Sequence, residues 1–83
     1  MDYPQFETLQ LMLHERVALV ELNRPDKANS MSAAMWADLD ACFRWCDGES
    51  EVRVVVLAAL GKHFCAGIDL QMFASLDDQQ LEA

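Results

Sequence analysis

The sequence predicts an α/β fold, and three observations carry that expectation. Residues 9–22 form two runs that suit paired strands, residues 35–46 repeat apolar side chains at steps of three and four, and residues 52–59 are almost wholly apolar. The first pattern has the period of a strand and the second that of one helix face. The third suits a strand covered on both faces, as in parallel sheets. Strand, helix and strand in that order are joined by a right-handed βαβ crossover.

The elements follow in chain order. Leu9, Leu11 and Leu13 alternate with Gln10 and Met12 along a first strand. His14 and Glu15 are the expected two-residue connection to a second strand, RVALVELN. In that strand Ala18, Val20 and Leu22 share one face, and Val17 and Leu19 the other. Pro25 ends it, because proline has no N–H for a ladder and pushes Arg24 toward an extended conformation. A loop runs through Asn29, and Ser30 or Ser32 caps the helix that follows. Met35, Trp36, Leu39, Cys42, Phe43 and Cys46 form its apolar stripe, with Asp38, Asp40, Arg44, Trp45 and Asp47 off it. Gly48 is the expected stop. After the polar link Glu49–Glu51 comes the buried strand Val52–Ala59, and Asp69–Leu76 reads as a second short helix through Leu70, Phe73 and Leu76.

Size and composition bound the rest. Eighty-three residues suit one small domain, which buries only about 60% of its unfolded surface. Yet 53% of the residues are hydrophobic, more than a small monomer needs. One helix cannot shield both faces of the last strand, so the chain is expected to oligomerise or to be the front of something larger. A formal net charge of −8 opposes nucleic-acid backbones and anionic membrane surfaces. The longest apolar run, Val54–Leu60, falls far short of the ~20 residues of a membrane span. With no basic, apolar N-terminus the chain reads as soluble, without a signal peptide.

Three cysteines form no closed disulfide set, which points to a reducing cytoplasmic compartment. Cys42 and Cys46 share a helix face, but only His14, His63 and Cys65 remain as further ligands, and none has paired zinc spacing. No metal is expected, and the two thiols read as small buried side chains.

The chemistry concentrates in GKHFCAGIDL, residues 61–70. A turn after a parallel strand is where α/β folds place ligands. Gly61 breaks the strand, Gly67 permits a positive φ, and a helix start leaves main-chain N–H groups unpaired. Such donors can hold an anion or a carbonyl oxygen gaining negative charge. Equally, the stretch fits an ordinary strand-to-helix turn, with Asp69 complementing the helix dipole.

Two blocks, ELNRPDKANSMSAAMWADL and EVRVVVLAALGKHFCAGIDL, together resemble the N-terminal part of the crotonase superfamily, the enoyl-CoA hydratases and isomerases. The GIDL variant, with Trp36 in the helix, is most similar to dienoyl-CoA isomerases. The resemblance implies a spiral of ββα turns, assembly as trimers or hexamers, and an acyl-CoA thioester as substrate with no other cofactor. It implies that the Ile68 amide is one donor of an oxyanion hole, the second coming from a glycine in a later motif. It also implies that main chain at Ala66, Gly67 and Leu70 lines the acyl-CoA site, while Lys27, Ala28 and Asn29 lie along the CoA moiety. The second glycine and the catalytic carboxylates belong to segments beyond residue 83. Residues 1–83 therefore read as a single incomplete N-terminal region, inactive alone, and Glu7, Glu15, Glu49 and Glu51 belong to solvated faces.

Two readings of other classes stand beside this one. Cys65, two residues from His63 at the mouth of the expected helix, suggests an activated thiol. The apolar excess suggests a non-catalytic module that docks on a partner or on copies of itself, with Trp45 available for contact.

Overall fold

A computed structural model describes residues 3–69. Three strands, β1 (Leu9–His14), β2 (Val17–Leu22) and β3 (Val54–Ala59), form one sheet in the order β1-β2-β3. A short 3-10 turn (Pro25–Lys27) and α1 (Ala33–Gly48) lie between β2 and β3. β1 and β2 are antiparallel, and β2 and β3 are parallel, as the strand–helix–strand order requires. The pairing extends past both ladders, because Asn23 N–H donates to the Thr8 carbonyl at 2.8 Å and Leu60 N–H to the Leu22 carbonyl at 2.9 Å.

The hairpin turns one residue later than the pattern suggests. His14 still pairs with Val17, so Glu15 and Arg16 form the connection, with φ of 48° and 70°. Two successive positive φ values match the right-handed strand twist, and here side chains other than glycine or asparagine carry them.

Register sorts the sheet residues into two faces. Leu9, Leu11, Ala18, Val20 and Leu22 are buried beneath α1, with Leu13, Val55 and Ala59 packed against them. Met12, Leu19 and Val56 align across the opposite face, as do His14, Val17 and Val54. Burying a chemically uniform apolar row on one face specifies register, since a one-residue slip would expose all of it.

Ser32 is the N-cap of α1: its hydroxyl accepts from Met35 N–H at 3.1 Å. The helix ends at Gly48 without a left-handed residue, and Glu49 N–H donates to the Cys46 carbonyl at 3.4 Å. The inward stripe is rotated from the expected one. Met35, Cys42 and Cys46 are buried, but Trp36 is 51% exposed and Phe43 is also exposed, whereas Trp45 is half-buried. Trp45 packs on Tyr3, with ring centroids 6.2 Å apart. Asp38 shares that rotated side, where its Oδ2 accepts from both Thr8 N–H (2.9 Å) and the Thr8 hydroxyl (2.7 Å). A pre-strand segment that caps the helix face thus makes room for a carboxylate that the wheel alone assigns to solvent.

β3 begins at Val54 rather than Val52, and it lies at the edge of this sheet. Val54, Val56 and Leu57 are exposed, so the strand expected to be covered on both faces is not covered by the described residues. Glu7, Glu15 and Glu51 are exposed and Glu49 is half-buried. The helix expected over 69–76 lies outside the described residues, apart from Asp69.

Candidate functional site

The two loops at the C-terminal ends of β2 and β3 are fastened into one unit. Ala66 N–H donates to the Ala28 carbonyl at 3.0 Å, Met31 N–H to the Gly67 carbonyl at 2.6 Å, and Asp69 N–H to the Met31 carbonyl at 2.8 Å. The last two bonds make a parallel bridge between Met31 and Ile68. In such a bridge the groups of residues 67 and 69 face the partner, so the N–H and carbonyl of residue 68 point to the other side. Among the described residues no hydrogen bond uses the Ile68 N–H. Ile68 is 52% exposed. Gly67 sits at φ 112°, with nothing within 4 Å of the position a Cβ would take. A backbone donor turned away from the bridge thus follows directly on a glycine whose positive φ brings the chain into that pose.

Asn29 is the internal strut of this arrangement. It is fully buried at 0% exposure, with φ of 55°. Its Nδ2 donates to the Leu60 carbonyl (2.7 Å) and the His63 carbonyl (2.8 Å), while its Oδ1 accepts from Arg24 N–H (2.7 Å). An asparagine tolerates the left-handed region and supplies both donors and an acceptor in one short side chain. Its side chain is thus spent inside the fold. Ala28 is also left-handed, at φ 52°, and half-buried, whereas Lys27 is exposed. Gly61, at φ 88°, lies so close to Pro25 that a Cβ there would come within 2.8 Å of the proline Cβ. This close approach is the reason for the first glycine.

Arg24 closes the unit from the outside. One guanidinium nitrogen donates to the Ser30 carbonyl at 2.5 Å, and another meets Asp69 Oδ2 at 2.9 Å. No sequence spacing announces this pair, which lies 45 residues apart along the chain. Arg24 before Pro25 reads as a strand terminator, and Asp69 as a helix-dipole partner.

The structure brings Ala28, Asn29, Ala66, Gly67 and Ile68 together, with Lys27 on the adjoining surface. Leu70 lies outside the described residues. The cysteines divide by environment. Burial, and then neighbouring Cys46, pushes the Cys42 thiol up to about 12, and burial raises Cys46 too. Cys65 is exposed with its Sγ 3.7 Å from the Gly67 carbonyl oxygen, and no hydrogen bond joins it to His63. No helix among the described residues is long and apolar enough to cross a membrane.

Comparison with known proteins gives this geometry its context. The family model described as enoyl-CoA hydratase/isomerase matches residues 13–82. The chain belongs to the enoyl-CoA hydratase/isomerase family. Among curated relatives, the mitochondrial Delta(3,5)-Delta(2,4)-dienoyl-CoA isomerase of Mus musculus is 41% identical over 71 residues, covering 84% of this chain and 22% of its own. A probable enoyl-CoA hydratase of Rhizobium meliloti is 38% identical over 72 residues, covering 87% and 28%. A relative from Arabidopsis thaliana is named probable enoyl-CoA hydratase 1, peroxisomal. Among solved structures, the enoyl-CoA hydratase of Mycobacterium tuberculosis H37Rv superposes with a TM-score of 0.78 at 34% identity, over 86% of this chain and 31% of that one. AtuE of Pseudomonas aeruginosa gives 0.77 at 40%, over 83% and 27%. The α/β arrangement is thus the N-terminal part of a crotonase-type fold, as the resemblance implies. The chain spans about a quarter of the length of such relatives.

Proposed function

We propose that this chain forms the N-terminal half-site of an enzyme that hydrates or isomerises acyl-CoA thioesters, and that the Ile68 N–H is one donor of its oxyanion hole. The single observation supporting this is the Met31–Ile68 bridge, which turns the Ile68 N–H away from the ladder beside a glycine facing open space. Hydration or double-bond migration in an enoyl thioester passes through an enolate, and negative charge gathers on the thioester oxygen. A fixed amide stabilises that charge more than it stabilises the ground-state carbonyl, which is what lowers a barrier. Losing one such donor costs about 3 kcal/mol in comparable sites.

Main chain at Ala66, Gly67 and Leu70 then borders the acyl group, and the loop of Lys27, Ala28 and Asn29 follows the CoA moiety. Because the Asn29 side chain is engaged internally, that loop presents its backbone and the exposed Lys27 to the ligand. The second oxyanion donor and the catalytic carboxylates come from beyond residue 83, and the 83 residues alone turn over nothing. The thioester is substrate, and no other cofactor is used. Exposed Val54 and Val56 favour burial against further chain or neighbouring copies in a trimer or hexamer. Three unpaired cysteines suit a reducing setting, whether the cytoplasm or an organelle interior of the kind named for two relatives.

Titrating the ¹⁵N-labelled chain with butyryl-CoA, and separately with free CoA, tests the assignment by NMR. The Ile68 amide proton is expected to move downfield with the thioester and not with free CoA. A thioester that shifts other amides but leaves Ile68 unmoved removes the oxyanion role.

A further inference from the structure

We infer that Arg24 is a positioning residue, which aims the Ile68 amide by holding Asp69 from across the two loops. This rests on the thioester reading above. Gly67 at φ 112° gives the backbone before Ile68 rotational freedom, and on that side its carbonyl accepts from Met31 N–H at 2.6 Å, with the Cys65 Sγ 3.7 Å away. On the other side Asp69 is held through its N–H by the Met31 carbonyl and through its carboxylate by Arg24. Arg24 is itself anchored by the Ser30 carbonyl and by the Asn29 side chain on its N–H. A planar guanidinium with two acceptors has little freedom left. The pair is well shielded, with side chains 17% and 15% exposed, so solvent weakens it less than a surface pair. Charge, a second anchor and shielding all act on the residue next to the proposed donor. The bridge fixes which way the Ile68 N–H points, and the ion pair fixes how firmly.

The test compares wild type, Arg24→Gln and Arg24→Lys by NMR. Arg24→Gln is expected to raise fast backbone motion at residues 66–69 while the sheet and α1 keep their wild-type signals. Butyryl-CoA affinity should fall about tenfold, the scale set by losing one hydrogen bond to a charged group, and free-CoA affinity should stay as in wild type. Arg24→Lys, which keeps the charge but not the fork, should recover part of the loss. Unchanged order at 66–69 in Arg24→Gln overturns the inference. So does equal loss of butyryl-CoA and free-CoA affinity, or a disturbance spread evenly over the sheet, since either marks a merely structural role. If wild-type Ile68 does not respond to the thioester, the proposed function falls instead, and the backbone order in Arg24→Gln still decides whether Arg24 positions this turn.

Discussion

The two faces of the sheet are built from similar residues and have opposite fates. Beneath α1, Leu9, Leu11, Ala18, Val20 and Leu22 are sealed, and the helix contributes Met35, Cys42 and Cys46 to the same core. On the other face, Met12, Val54 and Val56 stand in solvent although they too align in register across the strands. Hydrophobic content therefore does not separate core from surface in this chain. Besides Trp36 and Phe43 on α1 and Phe64 and Ile68 in the last loop, the apolar excess evident in the composition occupies one face of the sheet and the β3 edge. That location is where an edge strand invites pairing and where a further layer would bury area.

Two methionines make the comparison measurable. Met35 is 0% exposed on the sealed side, and Met12 is 39% exposed on the bare one. Met35→Ala should destabilise the chain by about 2–5 kcal/mol, combining lost transfer energy with a cavity. Met12→Ala should stay within about 0.5 kcal/mol, as surface substitutions do. Urea unfolding followed by circular dichroism measures both. A large cost at Met12 would mean that copies of the chain already cover the bare face, and light scattering on the same samples would then detect the assembly.

A smaller but still severe effect is expected at the loop unit. Asn29→Ala strands the Leu60 and His63 carbonyls and the Arg24 N–H, and it leaves alanine at φ 55°. A cost of roughly 2–4 kcal/mol follows from unsatisfied buried groups. Asn29→Gly relieves the backbone but not the polar groups, so it should recover only a minor part. If the two variants unfold together with wild type, the side-chain struts contribute nothing to stability.

Much of the fold was legible because it rests on periodicity. The alternation of Leu9, Leu11 and Leu13, the helical period that buries Met35, Cys42 and Cys46, and the choice of Ser30 or Ser32 as cap are all local signals; the strand and the helix form where the pattern puts them, and Ser32 is the cap. What failed was local pattern overruled by a distant partner. Thr8 draws Asp38 inward and turns Trp36 and Phe43 toward solvent, and nothing within the helix encodes that. The two-sided apolarity of β3 was read as cover on both faces, but it records what the strand requires rather than what residues 3–69 provide. In the candidate site the glycines were visible and the ties between loops were not. The three side-chain bonds that fix Asn29 inside its loop have no local signal, and Arg24–Asp69 has no spacing rule at all.

The glycines offer a finer contrast within the site itself. Both sit at positive φ, but Gly61 presses on Pro25 while Gly67 faces open space. Gly67→Ala should cost about 1–2 kcal/mol, the strain of a left-handed backbone alone. Gly61→Ala should exceed that because Pro25 must move as well. In thioester binding the order should reverse, Gly67→Ala being the more damaging, because it disturbs the residue before the proposed donor. Denaturation and butyryl-CoA titration of both variants separate the two rankings. The same order in both assays would mean that Gly67 serves the fold alone.

The smallest expected effect concerns pH, and it divides the sealed interior from the exposed turn once more. An unfolded thiol ionises near its ordinary value of 9.0, whereas burial holds Cys42 protonated up to about 12. Between those values the unfolded chain binds fewer protons than the folded one, so stability falls as pH rises. The Cys42 contribution is therefore complete below pH 9.0 and is lost progressively toward pH 12. Cys46, also raised by burial, acts in the same direction. Urea midpoints taken in reducing buffer at about pH 8 and about pH 10 should decline more steeply for wild type than for Cys42→Ala, which has no thiol to titrate there. Groups distant from α1 are common to both chains, whereas removing Cys42 also removes the hydrogen bond that lowers Cys46, so the difference in slope belongs to this coupled pair of thiols. Equal slopes would place Cys42 in contact with water, and the core beneath α1 would have to be looser than its sealed packing implies.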